Sequence, residues 1–127
     1  IVEVIGLGSS IDFINSFGLN NVLDYEKTLH DYVFEKLQSI DDLLILGKSQ
    51  NTGSIISFNI QGIHANDLAF VLDQKNVAIR TGHHCAQPLM KYFDINSSAR
   101  VSFGIYNNIQ DIDLFIESLS EAKKFLT

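Results

Sequence analysis

The stretch SIISFNI, residues 54–60, alternates, with Ile56, Phe58 and Ile60 on one face. A repeat of two is the signature of a half-buried strand. Toward the N-terminus, LLIL at 43–46, ended by Gly47, reads as a short buried strand or the end of a loop, and KSQNTG between the two is a turn. Before these the period is helical. Val22, Tyr25, Leu29, Tyr32, Val33, Leu37 and Ile40 form one stripe of a helix that Asn21 can cap and that runs to about residue 39. Val4, Leu7, Ile11 and Ile14 keep that spacing in an opening helix, with Gly18 as its stop.

Toward the C-terminus, Asn66 and Asp67 open a helix carrying Leu68, Val71 and Leu72, and NVAIR (76–80) returns as a short strand. Pro88 starts another helical turn at its favoured first position. RVSFGIY (100–106) alternates Val101, Phe103 and Ile105 against Arg100, Ser102 and Gly104. The last helix runs from about Asp111, with Ile112, Phe115, Ile116, Leu119 and Leu126 inward and Lys123 and Lys124 suited to its C-terminal dipole. Helices interleaved with about four short strands predict a single α/β or α+β domain over 1–127. Its sheet is small, mostly antiparallel, of three or four short strands covered by helices.

Composition narrows the function classes. The 127 residues are 46% hydrophobic and 19% charged, the balance of a globular domain with a real core. A net charge of −6, with only Lys123 and Lys124 adjacent among the basic residues, argues against a nucleic-acid surface. No apolar run approaches the roughly 20 residues of a membrane-spanning helix. The opening IVEVIGLG lacks the basic flank and cleavage pattern of a secretory leader. One cysteine makes no internal disulfide, which fits a reducing compartment. The chain starts on Ile1 rather than Met, as a piece of a longer protein would.

That cysteine lies in RTGHHCAQPLM, residues 80–90, together with the only proline. A lone free cysteine is most often a small buried hydrophobe. Here Arg80, His83 and His84 precede Cys85, and such neighbours stabilise a thiolate and make sulfur nucleophilic. A strand-to-helix loop also presents side chains on a rigid frame. A metal site is the weaker functional reading, because three consecutive potential ligands do not converge and no second Cys or His pair stands at ligand spacing. His30, inside a helical stripe, and His64, at a helix entry, are expected to be solvated or capping rather than ligands.

RTGHHCAQPLM resembles the active-site cysteine segment of the group II, Suf-type cysteine desulfurases, pyridoxal-phosphate enzymes of the class V aminotransferase group. GLNNVLDYEKTL, SFNIQGIHANDLAFVLD and ARVSFGIYNN resemble the corresponding stretches of that family's C-terminal region, in the same order, so essentially the whole chain is covered. Gly104 and Asn108 are small departures.

The resemblance implies the C-terminal small domain of a fold-type I enzyme. In the intact protein Cys85 would be the nucleophile: its thiolate takes the sulfur of an L-cysteine held on the cofactor, becomes a persulfide and leaves alanine. Arg100 would grip the substrate carboxylate, which a guanidinium does bidentately and a lysine does poorly. Without the resemblance, Arg100 reads as a surface charge on the strand face opposite Val101 and Phe103. Arg80, His83 and His84 would orient the loop. A homodimer, a sulfur-acceptor protein, iron–sulfur cluster assembly and a cytoplasmic setting also follow from the resemblance.

The family's Schiff-base lysine belongs to a large domain. None of Lys27, Lys36, Lys48, Lys75, Lys91, Lys123 or Lys124 stands in a Ser-x-His-Lys-like context, so this chain alone is expected neither to hold pyridoxal phosphate nor to be active. Two other readings stay open: a stand-alone thiol module that relays sulfur through Cys85, and a selenocysteine lyase-type activity on the same fold.

Overall fold

The alternation at 54–60 forms one of the two inner strands of a four-stranded sheet. The structure is a computed structural model and describes residues 1–47 and 52–127. Its strands are β1 (Leu43–Leu46), β2 (Ile55–Ile60), β3 (Arg80–Gly82) and β4 (Ser98–Ser102), in the spatial order β1-β2-β4-β3. Every neighbouring pair is antiparallel, with Phe58 opposite both Ile45 and Ala99, and Arg100 opposite both Ser57 and Arg80. The helices are α1 (Val2–Phe17), α2 (Leu19–Gln38), α3 (Ala65–Asp73), α4 (Gln87–Tyr92) and α5 (Ile109–Leu126). This is the mixed helix-and-sheet fold that the patterning predicts.

One face of the sheet makes the core. Ile56, Phe58 and Ile60 of β2, with Ala99 and Val101 of β4, pack with Leu29, Val33 and Leu37 of α2, Leu68 and Leu72 of α3, and Ile112, Phe115 and Leu119 of α5. Phe58 is wholly buried, its ring 6.2 Å from that of Phe115. Each such side chain removed from water contributes about 1.5–3 kcal/mol, which makes this face the main source of stability.

The structure corrects several boundaries. Gly18, at φ 81°, breaks the chain for a single residue, so α2 starts at Leu19 and Asn21 is not its cap; the Asn21 amide instead donates to Phe17 O at 2.8 Å. NVAIR is not a strand. The chain uses Asn76, at φ 60°, and the Val77 N to Leu72 O bond of 3.1 Å to turn out of α3, and pairing begins only at Arg80. Pro88 is the second residue of α4, not its first.

β4 begins two residues before RVSFGIY and ends at Ser102. Phe103 N still reaches Ser54 O at 2.8 Å, but Asn107 then closes a turn on Gly104, taking its N–H on Oδ1 at 3.0 Å and donating to its carbonyl at 3.0 Å. Tyr106 is thereby thrown into solvent. Asn108, outside any role in the sequence reading, caps α5 in a reciprocal pair: Asp111 N donates to its side chain at 3.1 Å, and Asn108 N donates to the Asp111 carboxylate at 3.0 Å.

The opening helix forms, yet it buries nothing: Val4, Leu7 and Ile11 are exposed and only Ile14 is half-buried. Most of the expected KSQNTG turn lies outside the described residues.

Candidate active site

The second face of the sheet is polar along the middle of β2 and β4, where the first is apolar, while on β1 it carries Leu44 and Leu46. Because side chains alternate along a strand, the residues between Ile56, Phe58, Ala99 and Val101 point the other way: Ser57, Asn59, Ser98 and Arg100. Ser57, Arg100 and Arg80 stand in register on β2, β4 and β3, so their Cβ atoms are roughly 5 Å apart in sequence across the face. Like charges directly opposite each other are destabilising. A row containing two facing arginines is therefore poor for stability and well suited to an anion, which guanidinium groups bind in a bidentate fork. Arg80 is exposed. Arg100 is half-buried, on the face opposite Val101, and its Nε is shielded from solvent with no hydrogen-bond partner among the described residues.

β3 feeds directly into the cysteine loop. Gly82 takes φ 118°, a backbone conformation that L side chains rarely adopt, and His84 and Cys85 follow at φ 53° and 58°. Two successive left-handed residues that are not glycine cost about 1–3 kcal/mol each and persist only where the surroundings hold them. Three contacts do so. Ala86 N donates to His83 O at 2.8 Å, the His84 Nε2–H donates to Ser98 O at 3.1 Å, and Met90 of α4 is buried behind them. The outcome is that Cys85 is exposed on the loop between the tethered His84 and α4. A cleft of about 200 Å³ runs beneath, bounded by Ser57, His84, Ala86, Leu89, Met90 and Ser98.

The histidines differ in role. His83 is exposed. Burial pushes the pKa of His84 below its ordinary 6.5, and the charges of Arg100, Arg80 and His83 act in the same direction, against the opposing pull of the Ser98 carbonyl. The ring is therefore neutral at pH 7. The positive charge near the loop comes from the arginines, and His84 serves as a tether. Since its Nε2 carries the proton, its Nδ1 is a bare acceptor, buried and unpartnered.

His64 caps α3, its Nδ1 accepting from Asn66 N at 3.2 Å. His30 departs from expectation, being neither solvated nor a cap. It is buried against Phe34, with Nδ1 3.2 Å from the Asp31 carboxylate and Nε2 3.0 Å from the Thr52 hydroxyl. Among the described residues no group of three or more His, Cys, Asp or Glu could hold a metal ion. No helix among them is long and apolar enough to cross a membrane. Ser57 and Ser98 are site residues that the motif did not flag; counting two residues back from Arg100 along an alternating strand reaches Ser98.

The candidate site thus combines Arg100 on β4 with an exposed Cys85 on a loop that is tethered to the same strand through Ser98. Residues 1–115 match the family described as Aminotransferase class-V, and the chain belongs to it. It is 41% identical over 129 residues to a probable cysteine desulfurase of Staphylococcus epidermidis, and 43% identical over 126 residues to a cysteine desulfurase of Wigglesworthia glossinidia brevipalpis. These alignments take in 100% and 99% of this chain and 31% and 30% of those proteins.

Two solved structures superimpose with TM-scores of 0.90. One is the cysteine desulfurase CsdA (S-sulfonic acid) from Escherichia coli, 25% identical, covering 98% of this chain and 31% of that one. The other is the apo cysteine desulfurase from Thermococcus onnurineus NA1, 33% identical, covering 96% and 31%. The chain thus spans about a third of the length of the relatives it matches.

Proposed function

We propose that residues 1–127 are the C-terminal small domain of a cysteine desulfurase. The whole protein removes sulfur from L-cysteine, leaving L-alanine and a persulfide on Cys85. The observation that carries this reading is the exposed Cys85 on a strained loop that His84 tethers to Ser98, two residues from Arg100 on the same strand. The names of the relatives supply the reaction. Arg100 holds the substrate carboxylate and so fixes where the substrate sulfur lies relative to Cys85. An S–S bond forms between Cys85 Sγ and that sulfur as the substrate's Cβ–S bond breaks. The electron pair stays on Cβ, which takes a proton to become the methyl group of alanine.

Pyridoxal phosphate, the cofactor the family implies, supplies the electron sink for this chemistry. The described residues of this chain do not fit it, because its aldehyde needs a lysine amine beside it. Lys27 pairs with Asp31, Lys75 with Glu121 and Lys123 with Asp42, while Lys36 lies over the Tyr32 ring. Lys91 and Lys124 are exposed on helix surfaces. In this reading the cofactor belongs to the remainder of the protein. So does much of the surface for a homodimer. The persulfide passes to an acceptor protein and on to iron–sulfur cluster assembly in the cytoplasm.

The test is the full-length protein with L-cysteine, scoring alanine and protein-bound persulfide together. Cys85→Ser is expected to abolish persulfide while leaving the cofactor spectrum intact. Persulfide formed on Cys85 only from a donor protein, with no alanine released, would instead make the domain a sulfur relay.

A further inference from the structure

Ser98 is the residue on which the two halves of the site meet. Its carbonyl accepts the His84 Nε2–H at 3.1 Å and so tethers the cysteine loop. Its side chain is wholly buried, and its hydroxyl has no partner among the described residues. Two residues along the same strand and on the same sheet face, Arg100 Nε is also shielded and also unpartnered. Opposite Ser98 on β3 stands Gly82, which has no side chain to fill the space. A buried donor or acceptor left unpaired is costly, and more so when it belongs to a charged group. Two such atoms on adjacent inward positions of one face are complementary, because Arg100 Nε–H only donates and the serine oxygen accepts. Residues i and i+2 of a strand are roughly 6.6 Å apart, a gap that an arginine stem leaning along the strand spans.

We propose that Ser98 is a positioning residue for substrate binding: its hydroxyl takes the Arg100 Nε–H when substrate is held, which aims both terminal nitrogens of the guanidinium at the carboxylate. The proposal rests on the reading of Arg100 as the carboxylate grip. Its consequence is that one residue sets the distance between grip and nucleophile, through its oxygen on one side and its carbonyl on the other. Removing the hydroxyl leaves the carbonyl, so the two functions separate by substitution.

The experiment uses the full-length, cofactor-loaded protein with L-cysteine as substrate. Ser98→Ala is expected to raise KM about tenfold with little change in kcat. The rate of Cys85 alkylation by iodoacetamide without substrate should stay at the wild-type value, because the His84 tether is intact. Ser98→Thr, which restores a hydroxyl, should recover most of the loss. Unchanged KM in Ser98→Ala overturns the proposal. So does an equal fall in alkylation and turnover, which would mark a merely structural serine, or a KM rise in Ser57→Ala without one in Ser98→Ala, which would give the pairing to the serine in register with Arg100. Arg100→Ala is measured alongside. If it leaves KM unchanged, the carboxylate reading itself fails; if it raises KM and Ser98→Ala does not, only the role of Ser98 fails.

Discussion

The two faces of one four-stranded sheet have opposite economies. On the first, Ile56, Phe58, Ile60, Ala99 and Val101 meet three helices and leave almost no surface in water. On the second, residues one step along the same strands are Ser57, Ser98 and Arg100, facing Arg80 and a loop with two left-handed residues. Stability gathers on the first face. The second keeps unpaired polar atoms and like charges together, features that lower stability and suit the binding of an anion. The contrast shows that a period of two does more than hide apolar groups: it lets one strand serve as core and as binding surface at once.

The sharpest way to break the contrast is a substitution on each face of neighbouring strands. Phe58→Ala is expected to lower unfolding free energy by about 3–5 kcal/mol, read by urea denaturation of the domain. Arg100→Ala should leave that midpoint unchanged or slightly raised, since it relieves the repulsion from Arg80. In the full-length enzyme it should cost about 100-fold in kcat/KM, and Arg100→Lys should restore little of it. A stability loss from Arg100→Ala comparable to that of Phe58→Ala would end the division between the faces.

Smaller effects sharpen it. Asn108→Ala removes the reciprocal cap of α5 and is expected to cost about 1 kcal/mol of stability without changing the alkylation of Cys85. The pH response belongs to the second face. The folded His84 ring holds its proton more weakly than in the unfolded chain, where the ordinary value is 6.5. Below pH 6.5 the unfolded state therefore binds more protons, and the fold loses stability as pH falls; above 6.5 nothing is lost. An NMR titration of the His84 ring should show a midpoint under 6.5, and a midpoint above it would mean that the tether to Ser98 outweighs burial.

How far this could be read beforehand differs between the faces as well. The apolar face was plain in the alternation of Ile56, Phe58 and Ile60 and in the stripes of α2 and α5, because burial of apolar groups is periodic and local. Cys85 and Arg100 came from motif resemblance, and the geometry adds the bond from His84 that ties the cysteine loop to the strand carrying Arg100. Strand ends were misjudged where tertiary bonds decided them: the Asn107 turn that ends the run after Ser102, and the exit from α3 that delays β3 to Arg80. The neutral tethering role of His84 depends on its burial and on a carbonyl fourteen residues away, neither of which adjacent letters carry. The helical spacing of α1 was legible too, but not that Val4, Leu7 and Ile11 stay exposed, because spacing alone does not say what a stripe packs against.

That surface bears on how the domain behaves as a colloid. Val2, Val4, Ile5, Leu7 and Ile11 of α1, with Leu19 and Leu23 at the start of α2, form an exposed apolar stretch on a chain whose net charge is −6. Mutual repulsion between such anionic particles keeps them dispersed at low ionic strength. Added salt screens that repulsion, and strongly hydrated anions such as sulfate favour contact between apolar patches. The isolated domain should therefore be handled dilute and at low salt, where its sticky helix meets water rather than another copy of itself.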